Sequence, residues 1–317
     1  MGLARYIGRR LLLMIPVALG ATLLIFLLLH IAPGDPARLI LGQRQVTEEL
    51  VQSVRQQFHL DEPLWKQYGL WLWGALHGDL GRSFTFRRPV TGMILNRYGV
   101  TLQLALSAWF VSMAVGIPAG VISAVKQYTK IDYTATILAL SGVSMPVFWQ
   151  GILAIFVFAY VLGWLPSSGF AMNADIFTRL RHMILPVITL GTSITALTVR
   201  LTRSAMLEVL NEDYIRTARA KGVSEWSIIK DHAFRNAMMP IITVVGVQIG
   251  FLMAGSVLTE TVFGLGGLGR LLVRAIHKFD YPTIQGITLV VVSIFLITNL
   301  LVDIVYTFIN PKVRYDE

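Results

Sequence analysis

The chain of 317 residues contains no cysteine, which removes disulfides, thiolate nucleophiles and thiolate metal sites. Charge is also scarce: Asp, Glu, Lys and Arg make up 14% of the residues, against 55% that are hydrophobic. A mean hydropathy of +0.64 is too apolar for a soluble domain of this length. No G-x-x-x-x-G-K-[ST] sequence occurs, so the chain cannot be its own ATPase by that route. The histidines, His30, His59, His77, His182, His232 and His277, include no close i,i+4 pair, and no metal-binding or catalytic residue is assigned.

What the sequence has instead is long apolar stretches. Six runs of about 20 residues, the length that crosses a hydrocarbon core, lie near Leu11–Ala32, Val100–Val125, Tyr133–Leu165, Ile184–Leu201, Pro240–Thr259 and Thr283–Ile309. The third is long enough to be tilted or to contain an interfacial end. An all-α membrane protein with six transmembrane helices follows, and the even number puts both termini on one side. Although Arg5, Arg9 and Arg10 precede it, the first run exceeds a signal-peptide core. It also lacks a small-residue cleavage site before "APGDPA", so it is expected to be retained as a span.

The formal net charge of +9 fits three uses: nucleic acid, anionic lipid, or the basic residues that set topology. Lys and Arg number 14 on the segments that share a side with the termini and 13 on the others, which decides nothing. Residues 33–99 hold 8 of those 13, and a stretch that long crosses regardless of charge; without it the comparison is 14 against 5. The termini and residues 203–238 are therefore expected to be cytoplasmic. The organisation is a cytoplasmic start and first span over 1–32, an external cap over 33–99, a five-helix core over 100–310 that includes 203–238, and a cytoplasmic tail over 311–317. Within the cap, "TEELVQSVRQQFHL" at 47–60 reads as an amphipathic helix with Thr47 as its N-cap.

Between the fourth and fifth runs lies a helical pattern broken once by glycine, "YIRTARAKGVSEW" at 214–226. Leu207, Leu210, Tyr214 and Ala218 recur at helical spacing as one apolar stripe, and Glu212 and Arg216 are placed for an i,i+4 pair. Lys221 falls in the last turn, where a cation suits the helix dipole, and Gly222 is placed for the left-handed residue that ends a helix. Ser224 then caps a second helix, in which Trp226, Ile229, Ala233 and Ala237 repeat the spacing. Helix, glycine turn, helix is also the layout of a DNA-reading module, but this one is short, tethered between spans and low in net charge. A connector on the inner leaflet and a docking element for a partner both fit, and spacing alone does not separate them.

The wider segment "EDYIRTARAKGVSEWSIIKDHAFRNAMMP" resembles the cytoplasmic signature loop of binding-protein-dependent ABC importer permeases, whose general pattern is Glu-Ala-Ala, three residues, then glycine. Gly222 matches that glycine, and Arg216, Thr217 and Ala218 occupy the Glu-Ala-Ala positions. The departures, together with "HAFRNA" at 232–237, look like the dipeptide/oligopeptide/nickel branch of the family. Further stretches look like that branch in order: "GRRLLLMIP", "APGDPA", "HGDLGRSF" at 77–84, "GVSMPVFWQGIL" at 142–153, "LTETVFGLGGLGRLL" at 258–272, "DYPTIQG" and "NLLVDIVYTFINPKVR". The likeness covers essentially the whole chain and is greatest to the first of the branch's two permease subunits, the one with the long first outer loop.

That resemblance implies a type I ABC importer permease fold and a chain that does no covalent chemistry. It implies a heterodimer with a second homologous permease, a pair of ATPase subunits that bind ATP and magnesium and receive the hairpin in a cleft, and an extracytoplasmic substrate-binding protein. The place would be the cytoplasmic (inner) membrane of a bacterium or archaeon. Tyr214, Ala218, Lys221, Gly222, Val223 and Ser224 become the expected coupling contact. Dipeptides or oligopeptides are the expected cargo, with nickel chelates, glutathione or another small solute as alternatives. A self-sufficient, ion-driven transporter would be expected to show internal repeats, more spans and intramembrane acid or histidine relays, and none is evident.

"GLGGLG" at 264–269 has the spacing of a dinucleotide fingerprint, yet it follows a membrane span rather than a strand. The expectation there is a flexible outer re-entrant turn near the binding protein or the pore. Gln103, Gln150, Gln248, Glu260 and Asn299 are polar groups in or at the spans. Gln150 and Gln248 are the candidates for lining the translocation path, with interhelical hydrogen bonding as the equal alternative.

Overall fold

The computed structural model describes residues 3–31, 36–41, 47–57, 60–169 and 175–309. The expected tail over 311–317 and most of "APGDPA" lie outside the described residues. Among those residues every regular element is helical, apart from one isolated bridge between Arg82 and Pro89. The chain opens with α1 (Leu3–Ile31), α2 (Pro36–Leu41), α3 (Glu48–Gln57) and α4 (Leu64–Leu76). Next come α5 (Val90–Val125), α6 (Lys130–Ser144) and α7 (Val147–Ala154), the last widening into a π-helical turn over Ile155–Val161. Then follow α8 (Ile176–Leu210), α9 (Asp213–Ala220) and α10 (Glu225–Ser227), which runs through a second π-helical turn, Ile228–Phe234, into α11 (Arg235–Val262). Finally come α12 (Leu268–His277) and α13 (Tyr281–Ile309).

Among the described residues five helical stretches are long and apolar enough to cross a membrane: Gly8–Leu27, Val90–Val125, Ile176–Leu210, Glu225–Val262 and Tyr281–Val302. A sixth crossing is available if α6 and α7, with its π-helical extension, form one span, but these are bent by 105°. The expected third run is therefore broken. Met145 is extended at ψ 132, the conformation favoured before a proline, and Pro146 opens α7. Gln150 repairs part of the damage: its Nε2 donates to the carbonyls of Gly142 at 3.0 Å and Met145 at 2.8 Å. The second and fourth spans also begin earlier than their apolar runs, at Val90 and Ile176, because polar residues at the membrane edge extend the helices.

Small residues set the packing. A Cβ built on Gly116 would sit 2.9 Å from the Thr198 side chain, and one on Gly120 2.6 Å from that of Thr202, so α5 and α8 approach across a Gly-x-x-x-Gly ridge. Ser112 Oγ crosses the same seam to the Gly191 carbonyl at 3.0 Å, and Trp109 Nε1 ties α5 to the Val245 carbonyl on α11 at 2.8 Å. Outward side chains such as Leu12, Phe110 and Leu138 are each 67% exposed, which suits lipid or another membrane chain and not water.

The segment between α4 and α5 is strapped to the far end of the bundle. Asp280 accepts from Ser83 Oγ at 2.5 Å, from the Phe84 amide at 3.1 Å and from Thr283 Oγ1 at 3.0 Å. α4 in turn lies against α1, where Tyr68 shares a 2.9 Å hydrogen bond with Thr22 and packs edge-on to Phe26.

Candidate docking hairpin

The hairpin joins two membrane helices. After α8 ends at Leu210 the chain turns at Asn211 and Glu212 and folds back as α9. Lys221 is the C-cap, one position beyond the expected last turn, and Gly222 takes φ +78. The Gly222 amide donates to the Arg219 carbonyl at 2.9 Å and the Val223 amide to the Ala218 carbonyl at 3.2 Å, which closes the helix end. Ser224 Oγ accepts from the Ser227 amide and so starts the second arm.

Of the two expected stripes, Leu207, Leu210, Ala218, Ile229, Ala233 and Ala237 do pack on the hairpin core, but Tyr214 and Trp226 do not. Ile215 and Ile228 are fully buried, whereas Tyr214 is 43% and Trp226 72% exposed. Two features shift the phase: the break at Asn211 restarts the first arm, and the π-helical turn brings Ile228 and Ala233, five apart, onto one face. Ile215, Ile228, Ala233 and Ala237 pack with Ala124, Met206 and Ile241, fastening the hairpin to α5, α8 and α11. The expected Glu212–Arg216 pair does not form. Glu212 holds the N-cap position of α9 without a side-chain capping bond, and Arg216 Nη1 donates to Asp213 Oδ1 at 3.3 Å.

Tyr214, Lys221, Gly222, Ser224 and Trp226 are left outward, with Ala218 and Val223 half-buried beside them. Tyr214 is steadied by Asn236 Nδ2, which donates to its hydroxyl at 2.9 Å. Arg219 bridges the two arms through Nε and Nη2, which donate to Glu225 at 2.8 and 3.3 Å, and that hydrogen-bonded carboxylate raises the arginine's pKa. Among the described residues, its two chain neighbours aside, no atom lies within 4 Å of a Cβ built on Gly222. The crest of the hairpin is thus a pre-shaped knob of aromatic, small and charged residues that a second protein can meet.

At the other end of α11, about 40 Å away by helix rise, stands a buried acid. Glu260 is 0% exposed; its Oε1 accepts from Thr101 Oγ1 at 2.6 Å and its Oε2 from the Arg270 amide at 3.0 Å. Thr101 Oγ1 also accepts from the Leu268 amide at 2.8 Å. The glycine sequence at 264–269 therefore opens a helix, α12, and brings its N-terminus onto an anion, but the anion is the chain's own carboxylate. A Cβ on Gly267 would lie 2.5 Å from that carboxylate, and one on Gly269 2.5 Å from Val257 Cα. The expected flexible turn is instead a closed cradle, with Leu265, Gly267, Leu268 and Gly269 buried.

Gln150 is engaged at the α6–α7 break as described. Gln248 is 3% exposed, and neither its amide nitrogen nor its amide oxygen has a partner among the described residues. Among those residues no three of His, Asp and Glu come together as a metal-ligand set.

Residues 116–315 match the family described as "Binding-protein-dependent transport system inner membrane component", and residues 3–105 match its N-terminal region, "Binding-prot-dependent transport system membrane comp, N-term". The dipeptide transport system permease protein DppB of Escherichia coli is 43% identical over 335 residues, covering 98% of this chain and 99% of that one. DppB of Alkalihalophilus pseudofirmus is 40% identical over 331 residues, with 98% and 99% covered. Among solved structures, an inward-facing MetNI methionine ABC transporter shares the fold, with a TM-score of 0.58 at 16% identity over 69% of this chain and 96% of that one.

Proposed function

Because the chain belongs to the family of binding-protein-dependent transport system inner membrane components, we propose that it is the permease subunit of an ATP-driven importer of dipeptides and oligopeptides. It supplies half of a translocation path in a bacterial cytoplasmic membrane, with both termini and the hairpin on the cytoplasmic side. A homologous permease supplies the other half, and an extracytoplasmic binding protein delivers the peptide. ATP and magnesium belong to a pair of partner ATPase subunits, and this chain performs no hydrolysis itself.

The observation that carries this reading is the hairpin. Tyr214, Ala218, Lys221, Gly222, Val223 and Ser224, joined by Trp226, crown a body whose core is shared with the ends of α5, α8 and α11. An ATPase that shifts this crown moves those helix ends with it, which is how nucleotide binding alternates access to the path. Within the path, Gln248 is the polar group of interest, because a buried amide without partners is costly and opening of the bundle to water or peptide relieves that cost. Gln150 offers cargo only its carbonyl oxygen, since its amide nitrogen serves the break.

Purification with co-assembled partners, followed by uptake of a labelled dipeptide into proteoliposomes supplied with the binding protein, tests the proposal. The expected result is uptake that requires ATP inside the ATPase-bearing vesicles. Uptake that persists without the ATPases and collapses with the ion gradient would remove it.

A further inference from the structure

One polar cluster at the hairpin end of the bundle has no part in the docking crown. Asp132, in the first turn of α6, is 2% exposed. Its carboxylate accepts from Ser123 Oγ at 2.5 Å, the Tyr128 amide at 3.0 Å, and Arg203 Nε and Nη2 at 2.7 and 2.8 Å. The arginine fork thus grips both carboxylate oxygens side-on. Arg203 stands on α8, two turns before that helix ends at Leu210 and the hairpin begins. Tyr128, at φ +62, closes the tight turn between α5 and α6, so the same carboxylate also holds a strained backbone in place.

Little else secures this end of α6. The core that fastens the hairpin draws on α5, α8 and α11 and contains no residue of α6. Further along, a cavity of about 870 Å³ opens between α6, α5 and α8, with Ile131, Thr134 and Leu138 on the α6 side. Close apolar packing comes further along α6, where Ala139 meets Ala196 and Val199 at the cavity wall, and Gly142 meets Thr192. Immediately after that contact comes the bend at Pro146.

We propose that the Asp132–Arg203 pair is a coupling strut. It ties the foot of α6, and through α6 the bent span, to the part of α8 that carries the hairpin. Asp132 and Arg203 are positioning residues: they meet neither cargo nor nucleotide, and they pass hairpin movement to α6 across a gap that apolar packing does not bridge. This inference rests on the docking role proposed for the hairpin.

The test uses the full transporter in proteoliposomes, comparing wild type with Asp132→Asn for ATP hydrolysis and for peptide taken up per ATP. The assembled variant is expected to hydrolyse ATP at the basal wild-type rate while uptake per ATP falls at least about fivefold, the lower end of ordinary coupling between sites. Spin labels at Leu138→Cys and Leu197→Cys, clean positions in a chain without native cysteine, are expected to change separation with ATP in wild type and to lose that response in D132N. Arg203→Lys keeps the charge and loses the fork, so its coupling should fall between the two, and it carries the test if D132N does not assemble. A wild type that does not couple uptake to ATP removes the functional reading itself. A coupled wild type, with D132N, or R203K in its place, coupling equally well, overturns the strut.

Discussion

Glycine turns stand at both ends of the helical stretch Glu225–Val262, and they use glycine for opposite reasons. At Gly222 the demand is conformational: φ is +78, and the space around a Cβ is empty. At Gly267 and Gly269 the demand is for room, because side-chain and backbone atoms already stand 2.5 Å from where a Cβ would be. One turn is open and shaped for something outside the chain, and the other is shut by the chain's own acid. A glycine motif therefore says little until its surroundings are known: the stretch with the nucleotide-like spacing closes on itself, and the stretch with a single glycine offers a surface.

Substitutions can break this contrast. The largest effect is expected for Gly269→Ala, where the clash is with Val257 backbone and cannot relax by a rotamer change; about 3 kcal/mol of stability should be lost, read from thermal unfolding of the purified chain in detergent. Next comes Glu260→Ala, which takes the acceptor from the Thr101 hydroxyl and the Arg270 amide at about 2 kcal/mol. The nearest atoms to a Gly267 Cβ all belong to Glu260, so Glu260→Ala should suppress the cost of Gly267→Ala while leaving that of Gly269→Ala intact. Equal costs of Gly267→Ala with and without Glu260 would show that the cradle is not closed by its acid.

A smaller change, about 1 kcal/mol, is expected for Gly222→Ala, since only left-handed strain opposes it, and Gly222→Asn should cost less. Uptake should nevertheless fall well beyond what that stability loss explains, because in the proposed docking role a partner surface would fill the empty space. Normal uptake by an inserted Gly222→Ala variant would leave the crest without a partner. Smallest on stability is Trp226→Ala, within about 0.5 kcal/mol for a side chain 72% exposed; its effect should be confined to peptide taken up per ATP.

The legible parts of the fold are those set by local chemistry. Six apolar runs gave the helical class and the approximate spans, and Gly222 and Ser224 marked the turn because a left-handed C′ residue and an N-cap act over a few positions. Most of the hairpin's apolar face was legible, since Leu207, Leu210, Ala218, Ile229, Ala233 and Ala237 all pack on its core, but its two fully buried isoleucines were not. Tyr214 and Trp226 obey a 3.6-residue period, but the break at Asn211 hands the first arm's core position to Ile215 and the π-helical turn hands the second arm's to Ile228. The break in the third run was hidden for another reason: in a uniformly apolar stretch only Pro146 marked it, and helices also carry proline inside them, as α5 does at Pro118. Glu260 stood out as a polar residue at a span, but its bonds, like those of Asp132, lay beyond sequence reasoning because the partners, Thr101 and Arg203, are far along the chain and meet them only in the packed bundle. Gln150 and Gln248 looked alike as polar residues at membrane depth, and only packing distinguishes an amide that repairs a bend from one left without partners.

The repair at the bend also bears on how the protein is made. A span emerges from the ribosome before the helices that will surround it, and any backbone group it leaves open must wait in hydrocarbon. The carbonyls of Gly142 and Met145 are answered by Gln150, from the same short stretch of sequence, so this bend needs no later helix to complete them. The angled segment can pass from the insertion machinery into lipid already folded at its elbow, while α8 and the hairpin are still being synthesised.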